Sequence, residues 1–167
     1  MFNHLPDAVL CAIFDNVGCT RTVVQCASVC RTWQRVIEEE YTFDNNKLFV
    51  THDYWSSLCE WLIKHPHARF GSVFVLGYDQ MTFPCVLDDI LNSAVIFQTS
   101  KLYVYNTRRV SVKKILPKFP SVKQLKFSKC SLLLENDLDP PHPLHIVVQD
   151  CVMKDSFKSF NITCIVV

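Results

Sequence analysis

The stretch Val122–Leu132 has the sequence VKQLKFSKCSL, and its pattern is the basis on which we predict the fold of most of the chain. Its apolar residues alternate like those of a half-buried strand, and Cys130 follows as a small side chain that can close the turn. The template L-x-x-L-x-L-x-x-C-x-L fits this stretch at every apolar position. We therefore predict that it is one unit of a repeated structure of strands and turns.

Other parts of the chain repeat this pattern. Ile146–Met153 matches the second half of the template, and Leu102–Thr107 is a weaker copy. Six short apolar runs predict strands at Leu48–Val50, Val73–Leu76, Leu102–Tyr105, Leu125–Phe127, Ile146–Val148 and Ile162–Val166. Their centres are about 18 to 29 residues apart, around the repeat length of leucine-rich proteins. Helical patterns lie between several of them, at Tyr54–Leu62, Val86–Ala94 and Val112–Leu116.

Residues 5–40 have a different periodicity, which predicts helices. Apolar residues recur at helical spacing from Val9 to Val17, after a proline suited to a first helical turn. Gly18 ends that segment, and two further helices are predicted before Tyr41. A bundle this thin cannot bury all of its apolar residues, so part of them should face a partner. Leu10 and Val36 are expected to be core.

The N-terminal residues resemble an F-box. The motif consists of Leu5-Pro6-Asp7, an apolar first helix with Ile13-Phe14 and Val17, and Val29-Cys30-Arg31-Thr32-Trp33 leading into the third helix. The resemblance covers residues 2 to about 40. It implies binding to the Skp-family adaptor of cullin–RING ubiquitin ligases. The residues it implies for that contact are Leu5, Pro6, Val9, Ile13, Phe14, Val17, Val29, Cys30 and Trp33, with Trp33 equally suited to a packing role.

The C-terminal part resembles the leucine-rich, F-box-associated regions that often follow an F-box. The predicted fold class is therefore α+β: a three-helix F-box at residues 1–41, then a short leucine-rich-repeat-like array of alternating helices and strands at residues 42–167. A conventional α+β domain is the alternative for the second part. The resemblance implies a non-catalytic subunit of a Skp–cullin–F-box ligase that binds the adaptor through the F-box and a target protein through the repeats.

Strand alternation predicts which residues would meet that target. Those pointing outward from successive strands are Tyr103, Tyr105, Gln124, Lys126, Ser128, His145, Val147 and Gln149. Nine of the seventeen basic residues and no acidic one lie between Lys101 and Lys129, so an acidic or phosphorylated segment is the expected ligand. A basic, solvated face without a ligand is the alternative. Nucleic acid is disfavoured because the tract lacks a binding motif and the net charge is only +1.

Composition disfavours several other classes of function. Glycine occurs only at positions 18, 71 and 77, and this lack of a glycine cluster excludes a P-loop and a dinucleotide fingerprint. The nine cysteines include no CxxC pair, so we expect reduced structural thiols, no metal site and no cofactor. No apolar run is long enough for a membrane span, and the first residues do not resemble a signal peptide, which predicts a cytoplasmic or nuclear protein.

Two other interpretations remain open at this point. The chain could be a scaffold or decoy that binds the adaptor without delivering a substrate. An enzymatic role would require a cysteine that is reactive as a thiolate at neutral pH, and no local signature of such a cysteine occurs.

Overall fold

The N-terminal part of the chain is helical. The computed structural model describes residues 5–78, 85–133, 140, 142–153 and 162–166, so residues 1–4 of the predicted F-box lie outside the described part. Helix α1 spans Asp7–Val17, α2 spans Thr20–Cys26 and α3 spans Arg31–Arg35, which continues as a π-helical turn over Val36–Glu40. Gly18 ends α1 with a φ of 70°, a conformation that favours glycine.

The rest of the described chain alternates strands and helices. Longer strands occur at β1 (Lys47–Val50), β3 (Ser72–Leu76), β5 (Lys101–Tyr105), β7 (Gln124–Ser128), β9 (Leu144–Gln149) and β11 (Ile162–Val166). Short strands are β2 (Arg69–Phe70), β4 (Gln98–Thr99), β6 (Val110–Ser111), β8 (Ser131–Leu133) and β10 (Val152–Met153). Helices are α4 (His52–Lys64), α5 (Val86–Asn92) and α6 (Val112–Ile115), and a 3-10 turn covers Leu116–Lys118. All six predicted strands and all three predicted helices between them are confirmed, whereas the short strands were not predicted.

The six longer strands form one parallel sheet whose spatial order, β1-β3-β5-β7-β9-β11, follows the chain. The short strands form two smaller parallel sheets, β2-β4 and β10-β8-β6. Each connection therefore leaves the main sheet, passes through a helix or a short strand, and returns beside the strand it left. The chain thus contains helices and parallel sheets, in agreement with the coarse α+β prediction.

The same turn follows three successive strands of the main sheet. Asn106, Lys129 and Asp150 have φ values of 53°, 54° and 52°, and each immediately follows its strand. The next residues are Thr107, Cys130 and Cys151, whose side chains donate to the carbonyl of the last residue of the preceding strand at 3.2–3.3 Å. The template position predicted to close the turn therefore does so through a hydrogen bond.

A glycine occupies the corresponding place after β3. Gly77 donates to the Tyr105 carbonyl at 2.8 Å, just as Asn106 donates to Ser128 and Lys129 to Gln149. A Cβ at Gly77 would lie 2.2 Å from the Asn106 carbonyl oxygen. Because that oxygen belongs to the backbone, only a residue without a side chain permits this close approach.

One continuous hydrophobic core runs through the described chain. Buried residues of the template, such as Val122, Leu125 and Phe127, belong to the same cluster as Leu10 and Val36 of the N-terminal helices. The predicted core roles of Leu10 and Val36 are therefore confirmed. Residues on both sides of the predicted boundary at residue 41 belong to this one core.

Candidate functional site

The N-terminal helices expose a set of apolar side chains. Val9 and Ile13 lie one turn apart on α1 and are 43% and 39% exposed, and Val29 in the turn before α3 is 60% exposed. Pro6 is exposed at the start of α1, where its carbonyl accepts from the amides of Val9 and Leu10. These residues form the exposed part of the set predicted to bind the adaptor.

The other members of that set lie beneath this surface to different depths. Leu5, Val17, Cys30 and Trp33 are partly buried. Phe14 is completely buried, so in this structure it packs under the surface instead of forming it. Trp33 meets the Phe14 ring edge to face, with centroids 5.3 Å apart, and its Nε1 is buried without a hydrogen-bond partner among the described residues. Trp33 therefore fills a packing role here.

A buried polar junction connects the helices to the sheet. Asn46 is fully buried and donates from Nδ2 to the Phe14 carbonyl at 3.1 Å. The Tyr41 hydroxyl lies 2.8 Å from Asp15 Oδ1 and also contacts Asn46 Oδ1. Burial, together with the hydrogen bond to Asp15, raises the pKa of Tyr41, so its hydroxyl remains a donor at neutral pH. We call Asp15, Tyr41 and Asn46 the junction.

Aromatic contacts and the backbone reinforce this connection. Phe14 meets Tyr41 at 5.5 Å between centroids, Tyr41 meets Phe43 at 4.8 Å, and Phe43 meets Trp61 of α4 at 5.4 Å. The Lys47 amide at the start of β1 donates to the Gly18 carbonyl at 3.0 Å. The segment between the helices and the first strand is therefore packed and hydrogen-bonded on both sides.

The face of the main sheet that points away from the core carries all the residues predicted to meet a target. We call it the outer face. One row across β5, β7 and β9 consists of the register partners Tyr103, Lys126 and Val147. Gln124 and His145 belong to the row before it, and Tyr105, Ser128 and Gln149 to the row after it. The intervening residues of each strand are buried, which confirms the predicted alternation.

Sequence reasoning missed the first part of the outer face. Phe49 of β1 and Phe74 of β3 lie in register with Tyr103 and extend its row to the sheet's first strand. Their rings stack at centroid distances of 5.0 Å for Phe49–Phe74 and 4.4 Å for Phe74–Tyr103. Extending the strand alternation to the predicted runs Leu48–Val50 and Val73–Leu76 would have found both rings. We call these three residues the aromatic row.

An open groove of about 870 Å³ lies at the amino ends of the first strands. The aromatic side chains of Phe74 and Tyr103 line it, as do the cations Lys47, Arg69 and Lys101 and the acid Asp44. A further hollow of about 350 Å³ shares Ser100 and Lys101 with it and continues to the residues Lys123, Gln124 and His145. We call the two together the groove.

Burial makes three of the cysteine thiols less reactive at neutral pH. Burial raises the pKa of Cys130 to about 11, and burial also raises the pKa of Cys85 and Cys11. A raised thiol pKa reduces the thiolate fraction at neutral pH, which is the nucleophilic form. The cysteines that form no disulfide are Cys11, Cys19, Cys26, Cys30, Cys59, Cys85, Cys130 and Cys151.

Two other kinds of site are absent from the described residues. No group of three or more histidine, cysteine or acidic side chains in that part of the chain could hold a metal ion. No helix among the same residues has both the length and the apolar character to cross a membrane.

Comparison with known proteins identifies the N-terminal region. A family model described as F-box-like matches residues 2–45. The searches of curated proteins and of solved structures gave no significant match. The matched range includes the exposed apolar residues of α1, the turn before α3 and two of the three junction residues, Asp15 and Tyr41. Residues 2–45 of this chain are therefore an F-box-like domain.

Proposed function

We propose that this protein is the substrate-recruiting subunit of a Skp–cullin–F-box ubiquitin ligase. The observation that carries the proposal is the F-box-like domain with its exposed apolar residues. F-box domains bind Skp-family adaptors, and the adaptor would bring the cullin and RING subunits. The chain itself would catalyse nothing. Holding a target beside the ubiquitin-charged enzyme raises the target's effective concentration, so the mechanism is proximity.

The adaptor would bind the surface formed by Pro6, Val9, Ile13 and Val29. Their exposed apolar area is the kind that a partner removes from water. Leu5, Val17, Cys30 and Trp33 would contribute through their partly exposed atoms. Phe14 would support the surface from beneath, because a fully buried ring can reach a partner only if the helices rearrange.

The second part of the chain would be a leucine-rich-repeat-like array that holds the target. Three features support this: the parallel strands in chain order, the buried template residues of β7, and the recurring turn. Cys130 also bridges neighbouring units, since its Sγ lies 3.4 Å from the Val104 carbonyl of β5. The target would bind the outer face at Tyr103, Tyr105, Gln124, Lys126, Ser128, His145 and Gln149.

Adaptor binding can be tested with a matched pair of variants. Ile13→Asp places a charge in the proposed interface, whereas Ile63→Asp places the same charge at a 63% exposed isoleucine on α4. Removing a charge from water at an interface costs several kcal/mol. A tenfold change in affinity corresponds to only about 1.4 kcal/mol. We therefore expect Ile13→Asp to weaken binding to a co-expressed Skp-family adaptor by at least about tenfold. The Ile63→Asp variant should bind as the wild type does.

Size-exclusion chromatography with mass measurement gives the readout, and circular dichroism shows that both variants are folded. Equal adaptor binding by the two variants would contradict the assigned surface. A wild-type chain that does not bind the adaptor would contradict the ligase function itself. Adaptor binding without ubiquitination of any bound protein in the reconstituted ligase would favour the scaffold or decoy alternative.

A further inference from the structure

We infer that the groove binds an extended acidic peptide segment that carries an apolar side chain. This deepens the proposed function, because the segment would belong to the target, but the groove can be tested without the adaptor. The chemical class of the ligand follows from the charges, the partly exposed aromatic rings and the dimensions of the groove.

The charges of the groove favour an anionic ligand. Among the described residues, Lys47, Arg69 and Lys101 line its first part and Lys123 its second, against one acid, Asp44. Within the described residues, none of these four cations forms an ion pair. Like charges gathered on one surface without counter-charges raise the local concentration of an oppositely charged ligand.

The arrangement of the cations favours several carboxylates over one phosphate. Lys47 lies on β1 and Lys101 on β5, two strand spacings apart, which is about 10 Å. Lys123 directly precedes Gln124, which is the register partner of Lys101 on β7. A phosphate binds best where several donors converge on one point. Cations spread along a line instead match the carboxylates of an acidic segment.

The aromatic row supplies the apolar part of the site. Phe74 and Tyr103 stack at 4.4 Å with planes 5° apart and both line the groove beside the cations. Phe49 continues the row and is 40% exposed. A ring face that remains exposed gains free energy when an apolar or aromatic side chain covers it. An apolar residue between acidic ones would therefore meet this row.

The length of the groove fits an extended segment. It runs from Lys47 on β1 to His145 on β9, which spans four strand spacings or about 19 Å. An extended peptide advances about 3.3 Å per residue, so about six residues would cover this distance. The peptide would cross the strands, with its acidic side chains over the amino ends and its apolar side chain over the aromatic row.

Fluorescence anisotropy with the full chain tests this inference. The probe is a fluorescein-labelled peptide of about ten residues with glutamates on both sides of one phenylalanine. A second peptide has glutamine at each glutamate position. A third peptide contains no glutamate and carries a single phosphoserine instead. We expect the glutamate peptide to bind at least about tenfold more tightly than the other two. Equal binding of the glutamine peptide, or binding of the phosphoserine peptide alone, would overturn the inference.

Variants then locate the bound peptide. Lys101→Glu should weaken binding of the glutamate peptide by about tenfold, and Phe74→Ala by about fivefold. Lys114→Glu makes the same charge change on α6, outside the groove, and should leave the affinity within about twofold of wild type. An equal effect of Lys101→Glu and Lys114→Glu would show attraction by net charge alone and would overturn the site. Adaptor binding by the same preparations is measured separately, so the site and the ligase function can fail independently.

Discussion

Substitution of Asn46 by alanine tests whether the junction holds the F-box-like helices on the sheet. Asn46 has no exposed surface, and its side chain contacts both the Phe14 carbonyl of α1 and the Tyr41 hydroxyl. The neighbouring residue Asn45 is exposed and makes no such contacts. The two asparagines therefore form a matched pair in which only the burial and the hydrogen bonds differ.

The magnitude follows from the buried polar contacts that Asn46→Ala removes. Loss of the hydrogen bond from Asn46 Nδ2 to the buried Phe14 carbonyl, together with the contact to the Tyr41 hydroxyl, gives a loss of about 2 to 3 kcal/mol in the free energy of unfolding. For a chain of this size, about 2 to 4 °C per kcal/mol converts this loss to a decrease in Tm of about 4 to 12 °C. Asn45→Ala should change the free energy of unfolding by no more than about 0.5 kcal/mol.

Urea unfolding, combined with amide hydrogen exchange, measures both the size and the location of the effect. The amides of α1 and β1 should exchange at similar rates in the wild type and should both exchange faster in Asn46→Ala. A double-mutant cycle with Tyr41→Phe should give a coupling free energy of about 0.5 to 1.5 kcal/mol, because the two side chains touch. Additive effects, or equal stability of Asn45→Ala and Asn46→Ala, would refute the role of the junction.

Two further predictions concern the turns of the sheet. Gly77→Ala should destabilise the chain by about 1 to 3 kcal/mol in urea unfolding, because its Cβ would lie 2.2 Å from the Asn106 carbonyl oxygen; an unchanged urea midpoint would contradict this close approach. The pKa of Cys130 is raised from 9.0 to about 11 by burial, so its protonated thiol stabilises the fold below about pH 9 and this contribution is lost as the pH rises through 11. The loss should approach about 3 kcal/mol, and Cys130→Ala should remove that share of the alkaline decrease in stability, whereas an identical pH profile in the variant would contradict it.

The strands were predictable because their residues carry the signal themselves. Alternation at Leu125 and Phe127 distinguishes the buried face from the outer face without knowledge of any neighbour. The helical spacing in α1 likewise identified Leu10 as core. The role of Cys130 was also visible, since a small side chain at a fixed distance after a strand suits a turn. These features depend on residues that lie close together along the chain, so a single sequence is sufficient to predict them.

Features that depend on pairs of distant residues were not predictable. Asn46 contacts the carbonyl of Phe14, 32 residues earlier, and no pattern around an asparagine indicates such a partner. The two-residue strands β2 and β4 are too short to show any alternation.

Phe14 illustrates a third difficulty. An apolar residue of an amphipathic helix suits both a core and an interface, and only the packing of the ring between Trp33 and Tyr41 distinguishes them.

The F-box-like helices have a structural role for the sheet in addition to the proposed binding of an adaptor. A parallel sheet exposes unpaired backbone groups along its first strand, and such an edge invites association with other chains. Here Cys19 forms a bridge with Lys47 of β1, and the Lys47 amide donates to the Gly18 carbonyl. The helices therefore cover the beginning of that edge, as a capping unit does at the end of a repeat array. The predicted boundary at residue 41 lies between the two proposed binding surfaces, and the residues on both sides of it share one core. It follows that the groove, which begins at Lys47, lies directly beside the helices that would bind the adaptor.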